Sequence, residues 1–246
     1  MSATRRLVLI HGFTERPSMW DTLISKLNDD SIAISTPSIP GHGSHPEIPY
    51  NRTAQAYCQA IIDQLPADEL DWIVVGHSMG GYLASTLVTM APHRIRAVGF
   101  FHSKAGADNE LKKEDRKRAI AAAKQNKSLY VGTMLRNTLA ECNIERCAEA
   151  LSEMISAAQN DISTACIEAA HTVMIQRPDN VEHLRHVLYP VFYFLGRNDK
   201  SIPLDQLDNE LKSLTKAQVT IAENTGHMGQ IEAPYEALMW LKQIIA

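Results

Sequence analysis

The chain has 246 residues, enough for one large α/β domain or for two small ones. Hydrophobic residues make up 45% of it and charged residues 21%, which is typical of a soluble globular protein with a sizeable core. The net charge of −4 gives no reason to expect nucleic acid or an anionic membrane as a partner.

Strands and helices alternate along most of the sequence. Short apolar runs indicate buried strands, and apolar residues at helical spacing indicate the helices between them. In chain order we expect strand 7–10, helix 20–27, strand 32–35, helix 53–65, strand 72–75, helix 79–91, strand 95–101, strand 191–195, strand 219–221 and a last helix from about 234. This alternation predicts a doubly wound, mostly parallel sheet.

A helical block interrupts the alternation between the fourth and fifth predicted strands. From about Asn109 to Arg185 the sequence has helical patterns and no convincing strand. We therefore predict a core formed by residues 1–108 and 186–246, with residues 109–185 inserted as an all-helical cap. The charged run from Lys112 to Arg118 mixes both signs, which indicates a solvated helix face rather than a nucleic-acid patch.

Cysteine usage and the apolar segments suggest a cytoplasmic location. The four cysteines show no C-x-x-C pair and no zinc-like spacing, so we expect free, buried thiols. The first apolar run, Leu7 to Ile10, is too short for a signal-peptide core. No window approaches the 18 apolar residues of a membrane span, so we expect no membrane association.

The most informative motif is Gly76-His77-Ser78-Met79-Gly80-Gly81, directly after the predicted strand 72–75. A strand that leads into G-x-S-x-G with a helix behind it is typical of the nucleophile elbow of a serine hydrolase. The sharp turn exposes the serine above the sheet edge. We therefore predict that Ser78 is the catalytic nucleophile.

A serine nucleophile needs a base and a carboxylate that orients the base, in the chain order Ser, acid, His. His227 is the only histidine after strand 191–195, and it follows the last predicted strand. Asp199 follows strand 191–195 in Gly-Arg-Asn-Asp, which favours it as the acid. Asp108, beyond strand 95–101, is the alternative, while Asp205 and Asp208 are expected too far into the next helix.

The reaction also needs donors for the oxyanion, usually two backbone N–H groups. One is expected from Met79, the residue after the nucleophile. The other is expected from Phe13 in the loop His11-Gly12-Phe13, where Gly12 lets the backbone turn. The Phe13 ring is also expected to form a wall of the acyl site.

Together these motifs resemble the α/β-hydrolase superfamily, in the branch with an H-G-F oxyanion loop and a helical cap. The match runs in order through His11-Gly12-Phe13, Pro40-Gly41-His42-Gly43, the elbow, Gly196-x-x-Asp199 and Gly226-His227. The resemblance implies the α/β-hydrolase fold. Similar cores occur in carboxylesterases, carrier-protein methyl-ester esterases, enol-lactonases, carbon–carbon bond hydrolases and perhydrolases. Ser78 disfavours haloalkane dehalogenases and epoxide hydrolases, and Phe13 disfavours lipases with an H-G-G-G loop.

Four residues are candidates for substrate contact: Phe13, His102, Met134 and Met228. His102 follows strand 95–101, and a methionine such as Met134 would give the cap a flexible apolar lining. The remaining histidines are expected to be structural or solvated, including His11 and His77. We predict no metal site and no cofactor.

The leading hypothesis is a cytoplasmic serine carboxylesterase, a monomer or homodimer, acting on small-molecule esters of small to medium acyl chains. One alternative keeps the same triad but cleaves a carbon–carbon bond in a vinylogous diketone. Another is a non-catalytic ligand receptor on the same fold. The acyl and alcohol preferences are expected to depend on the cap.

Overall fold

The computed structural model of the protein describes residues 3–27 and 29–246. The predicted core begins at residue 1, so its first two residues lie outside this range. Six strands form one sheet, with bounds that lie within two residues of the predicted ones. They are β1 (Arg5–Ile10), β2 (Ile32–Ser35), β3 (Asp71–His77), β4 (Ile95–Phe101), β5 (Val191–Gly196) and β6 (Gln218–Ala222).

The strands are arranged in the order β2-β1-β3-β4-β5-β6, and every pairing between them is parallel. The central strand β3 pairs with β1 on one side and with β4 on the other. Parallel strands have their carboxyl ends at one edge, where ligand sites of open α/β sheets form. The loops after β1, β3, β4, β5 and β6 therefore meet at that edge.

Eleven helices are present in the described residues, several of them only one turn long. Those of the sheet faces are α1 (Asp21–Ile24), α2 (Ala54–Ile62), α3 (Met79–Met90), α9 (Asp208–Ser213), α10 (Gly229–Glu232) and α11 (Pro234–Ile245). The predicted helix 20–27 is shorter in the structure, because a 3-10 turn at Pro17–Trp20 precedes the single turn of α1.

The remaining helices lie between β4 and β5, and we call residues 110–185 the helical segment. Its helices are α4 (Glu110–Gln125), α5 (Lys127–Arg136), α6 (Ala148–Asp161), α7 (Thr164–Gln176) and α8 (Val181–Arg185). All of its residues are described and none is in a strand. The division of the chain into a core and a cap at residues 109–185 stays a prediction.

Both faces of the sheet are covered, as a doubly wound fold requires. One apolar cluster packs α2 and α3 on the sheet around Val74 and Leu83. A second cluster packs α1 and α11 on the opposite face around Val75 and Trp240. Successive strand residues face opposite sides, so the apolar run of β3 supplies both clusters.

Three of the four cysteines, Cys58, Cys147 and Cys166, are buried as expected. The expectation is wrong for Cys142, which is exposed because it lies in a surface 3-10 turn, Glu141–Asn143. No helix in the described part of the chain is both long enough and apolar enough to cross a membrane.

Candidate active site

Ser78 lies in the one-residue turn between β3 and α3, with a φ of 49° and a ψ of −116°. Such a backbone conformation costs a non-glycine residue about 1–3 kcal/mol, so contacts must hold it. The Ser78 N–H donates to the Phe101 carbonyl at 3.0 Å, and the Ser103 hydroxyl donates to the Ser78 carbonyl at 2.6 Å. The turn also needs small neighbours, since a Cβ on Gly76 would overlap the backbone of Gly80.

Asp199 and His227 are in direct contact at the same edge. The His227 Nδ1–H donates to Asp199 Oδ2 at 2.7 Å. Asp199 Oδ1 accepts the backbone N–H groups of Ser201 at 2.8 Å and Ile202 at 2.9 Å. Burial raises the pKa of Asp199, but neighbouring His227 and the hydrogen bonds from His102 and His227 outweigh it and hold the pKa well below its usual range. Asp199 is therefore ionised and fixes the orientation of the His227 ring.

His102 is a second partner of Asp199 that sequence reasoning assigned to substrate contact. Its Nε2 accepts the Gly229 N–H at 3.2 Å, so its Nδ1 carries the proton and faces Asp199 Oδ2 at 3.3 Å. Burial lowers the pKa of His102 to about 4, which keeps the ring neutral. His102 is fully buried and does not line the cavity of Ser78 and His227 described below, because both of its nitrogens point into the protein.

The polar atoms of His102, Asp199 and His227 lie within 4.8 Å of one another, a spacing that a metal ion could also use. A histidine that binds a metal ion must present an unprotonated nitrogen to it. Both Nδ1 atoms are occupied by hydrogen bonds to Asp199, and the Gly229 contact fixes the proton on His102 Nδ1. These three side chains therefore form a hydrogen-bonded group around the Asp199 carboxylate, and their nitrogens do not suit a metal site.

Glu15 and His77 form another buried pair beside the elbow. Glu15 Oε2 accepts the Gly12 N–H at 2.6 Å and the His77 Nδ1–H at 2.7 Å, while His77 Nε2–H donates to the His227 carbonyl at 2.9 Å. Burial lowers the pKa of His77, but the charge and hydrogen bond of Glu15 outweigh this effect, so that the pKa is raised overall. A protonated His77 therefore joins the loop after β1 to the loop that carries His227.

Glu232 anchors the His227 loop from the other side. Its carboxylate accepts the backbone N–H groups of Gly226 and Met228, each at 3.0 Å, on either side of His227. It also accepts the Ala140 N–H of the helical segment at 2.8 Å. Glu232 thus holds the His227 loop against the helical segment. The sequence does not indicate this role, because Glu232 lies outside all of the motifs described above.

Two backbone donors stand free near Ser78. In the residues that the structure describes, no hydrogen-bond acceptor faces the N–H of Phe13 or of Met79. The loop after β1 lies close to the start of α3, since a Cβ on Gly80 would overlap the carbonyl oxygens of Ile10 and His11. Both N–H groups are thus available to a developing anion at this edge.

Ser78 and His227 line one cavity of about 220 Å³. Among the described residues no hydrogen bond joins the Ser78 hydroxyl to His227, and such bonds commonly tighten only when substrate is bound. Three of the four predicted substrate contacts line this cavity: Phe13, Met134 and Met228.

The helical segment adds polar lining residues that the sequence pattern did not indicate. Lys112, Asp115 and Arg116 line the cavity, and Arg116 is buried against Asp108. The prediction of a solvated face for residues 112–118 is therefore wrong for this side of α4. Asp108, the alternative acid, is held by Arg116 and by Arg177 at 2.8 Å.

Comparisons with known proteins agree with this architecture. The sequence model of the Alpha/beta hydrolase family matches residues 7–239. A pimeloyl-[acyl-carrier protein] methyl ester esterase from Nitrosomonas europaea is 25% identical over 234 residues, covering 93% of this chain and 90% of that protein. Another from Aromatoleum aromaticum is 35% identical, but the match spans 36% of this chain and only 33% of that relative.

Among solved structures, a thermophilic esterase from Thermogutta terrifontis superposes with a TM-score of 0.86. It is 20% identical and covers 100% of this chain and 92% of its own. At this identity the likeness concerns the fold alone.

Proposed function

This chain belongs to the alpha/beta hydrolase family, and from that premise we propose that it hydrolyses carboxylic esters of small to medium acyl chains. The observation that carries the proposal is the joint placement of Ser78 and His227. Ser78 lies on a strained elbow, and it lines the same cavity as His227, whose Nδ1–H donates to Asp199. The esterase names of two relatives support an ester as the substrate.

In the proposed reaction, Ser78 attacks the ester carbonyl while His227 Nε2 accepts the hydroxyl proton. Asp199 keeps the proton of the imidazole on Nδ1 and stabilises the imidazolium that forms. The N–H groups of Phe13 and Met79 donate to the oxyanion of the tetrahedral intermediate.

Collapse of the intermediate releases the alcohol, which takes its proton from His227. A water molecule then gives a proton to the same nitrogen and attacks the acyl-enzyme, which releases the acid and restores Ser78. His227 makes every proton transfer in this sequence, so the proposed reaction uses neither a metal nor a cofactor. The cavity volume of about 220 Å³ lies below the ~300–1,000 Å³ of drug-sized sites, which favours short acyl groups.

The first test is Ser78→Ala with p-nitrophenyl acetate and butyrate. We expect kcat to fall by at least about 10⁴-fold, because loss of the nucleophile leaves only binding and oxyanion contacts. Ser152→Ala, at an exposed position of α6, is the matched control and should keep full turnover. Turnover of Ser78→Ala near that of the unaltered protein would disprove the mechanism.

A second measurement addresses the carbon–carbon bond and receptor hypotheses. A series of p-nitrophenyl esters of increasing chain length is assayed beside a ring-cleavage dienoate, with an alkyl fluorophosphonate as a covalent probe. We expect ester turnover, a preference for short chains and one adduct on Ser78 by mass spectrometry. Faster cleavage of the dienoate would favour the carbon–carbon hydrolase. Turnover far below one per minute with tight binding of the same ligand would favour a receptor.

A further inference from the structure

One face of α4, the first helix of the helical segment, forms part of the cavity wall. Lys112, Asp115, Arg116 and Ala119 all line the cavity. Their spacing of three, four and seven residues puts them on one side of the helix. Two of the four are cationic. Asp115 is the acidic member, and it pairs outward with Arg118 while its own side chain is about half exposed.

Arg116 is only 8% exposed, yet its guanidinium is not fully used by the protein. Its Nε donates to Asp108, and its Nη1 donates to the Met174 sulfur at 3.0 Å, which is a weak acceptor. A further partner, the Tyr82 hydroxyl, is uncharged, because burial chiefly raises the pKa of Tyr82. A guanidinium has five N–H donors, so Arg116 keeps donors for a group inside the cavity.

The charges around Arg116 do not balance. Asp108 is shared with a second buried cation, Arg177, whose Nη2 lies 2.8 Å from Asp108 Oδ1. Lys112 adds a third positive charge, and its Nζ reaches only the Ser201 carbonyl, at 3.4 Å. Among the described residues, Asp108 is therefore the only carboxylate that is bonded to any of these three cations. Burying charge without a partner is costly, which favours an anion from outside the protein.

Neither acidic group on the cavity wall is bonded to these cations, since Asp115 pairs with Arg118 and Glu15 pairs with His77. Glu15 is held by the Gly12 N–H and by His77, on the side of the elbow. The histidine nearest the cationic face, His171, is neutral, because burial chiefly lowers its pKa to about 3, and its Nε2 is bonded to the Tyr130 hydroxyl. The polar groups facing Arg116 and Lys112 thus leave the positive charge in excess.

We propose that Arg116 and Lys112 bind a carboxylate of the substrate, so that the preferred substrates are half-esters of short dicarboxylic acids. The ester end is placed at Ser78 and the free carboxylate at the α4 face of the same cavity. Arginine suits this role because its planar fork can donate two parallel hydrogen bonds to one carboxylate. The inference rests on the proposed ester hydrolysis for its kinetic test, but not for its binding test.

The kinetic test compares monomethyl adipate with methyl hexanoate, which match in acyl length and differ in the free carboxylate. Acid release is followed in a pH-stat. We expect kcat/KM for the half-ester to exceed that for the neutral ester by at least about tenfold, because charge-assisted hydrogen bonds to the free carboxylate stabilise the bound half-ester alone. Arg116→Met should bring this ratio close to one, and Arg116→Lys should keep part of the preference.

Two further variants separate local contact from general charge and from misfolding. Lys117→Met removes one positive charge from the exposed side of the same helix and should leave the ratio unchanged. Lys112→Met leaves the Asp108 contacts intact and should lower the ratio several-fold even if Arg116→Met fails to fold. A ratio near one in the unaltered protein, or an equal ratio in folded Arg116→Met, would overturn the proposal.

The binding test uses Ser78→Ala and isothermal titration calorimetry with monomethyl adipate, which has a free carboxylate, and with methyl hexanoate, which has none. We expect the half-ester to bind at least about tenfold more tightly than the neutral ester, and this difference to disappear when Arg116→Met is added. If no ester is hydrolysed but the half-ester still binds selectively, the proposed function fails and the anion site stands. If esters are hydrolysed and the half-ester shows no advantage, the anion site fails and the proposed function stands.

Discussion

Asp199 is the residue at which most polar contacts of the site converge. Its two oxygens accept four hydrogen bonds, from the rings of His102 and His227 and from the N–H groups of Ser201 and Ile202. A carboxylate with donors on both oxygens cannot rotate without losing several of them. The His227 ring is therefore oriented by a group that is itself fixed, which is the preorganisation that proton transfer needs.

Glu232 makes comparable contacts with the backbone around His227, and it is the residue we would change first outside the proposed triad. In Glu232→Gln an amide –NH₂ replaces one carboxylate oxygen and faces the N–H groups of Gly226, Met228 or Ala140. We expect kcat for p-nitrophenyl butyrate to fall roughly tenfold or more with a smaller change in KM, because a small displacement of a catalytic group slows the chemical step.

The same variant should lower the free energy of unfolding by about 1–3 kcal/mol, the cost of unsatisfied buried polar groups, measured by urea denaturation. Glu236→Gln, at an exposed position on α11, is the control and should change neither quantity. An unchanged kcat in Glu232→Gln would show that the His227 loop does not depend on this anchor.

Between elements, the pair of Glu15 and His77 links two loops and a strand end at the sheet edge. It ties the loop after β1 to the end of β3 and to the loop after β6. In Glu15→Gln the charge that raises the pKa of His77 is lost, so the ring loses its stabilised positive charge. We expect kcat to fall about tenfold with a smaller change in KM, because the N–H of Phe13 in the displaced loop is proposed to act mainly on the transition state.

The readout that separates positioning from general damage is the split between kcat and KM, together with the unfolding midpoint. Glu47→Gln, in an exposed loop, is the matched control and should behave like the unaltered protein. A change in KM alone would contradict the positioning role of Glu15.

The strands were predictable because each is an apolar run that ends at polar or glycine residues. Their order was not, since pairing depends on contacts between distant segments. Ser78, Asp199 and His227 could be proposed from chain order, because each follows a strand whose carboxyl end lies at one edge. Glu15 and Glu232 could not. Each holds backbone N–H groups, which leave no trace in the sequence, and a side chain far away along the chain, His77 for Glu15 and Asn143 for Glu232. The sequence predicts a solvated face at Arg116, because a helix with mixed charges has the same sequence pattern whether its charged side faces solvent or a cavity.

At the scale of the whole molecule, the buried histidines make the fold sensitive to acid. Burial chiefly lowers the pKa of His11 and His102 to about 4 and the pKa of His42 and His171 to about 3. In the unfolded chain these rings titrate near 6.5. Between the two values the unfolded state binds protons that the folded state excludes, so stability falls as the pH drops. His77 acts in the opposite direction only above about pH 6.5, where its raised pKa lets the folded state hold a proton that the unfolded state releases.

Below about pH 6.5 the four rings with a lowered pKa take up protons in the unfolded chain only, whereas His77 is protonated in both states. The free energy of unfolding should therefore decline as the pH falls from about 6.5 to 4.5, by at most about 1.4 kcal/mol per pH unit for each of these protons. Urea denaturation at several pH values measures this slope. His171→Gln should flatten it, because one buried ring no longer resists protonation, whereas His186→Gln should not, since that side chain is 73% exposed. A stability that is constant across this range, or an equal slope in both variants, would contradict the argument. The decline in stability should be spread over this pH range rather than concentrated at one pH, because several separate histidines contribute to it and none of them dominates.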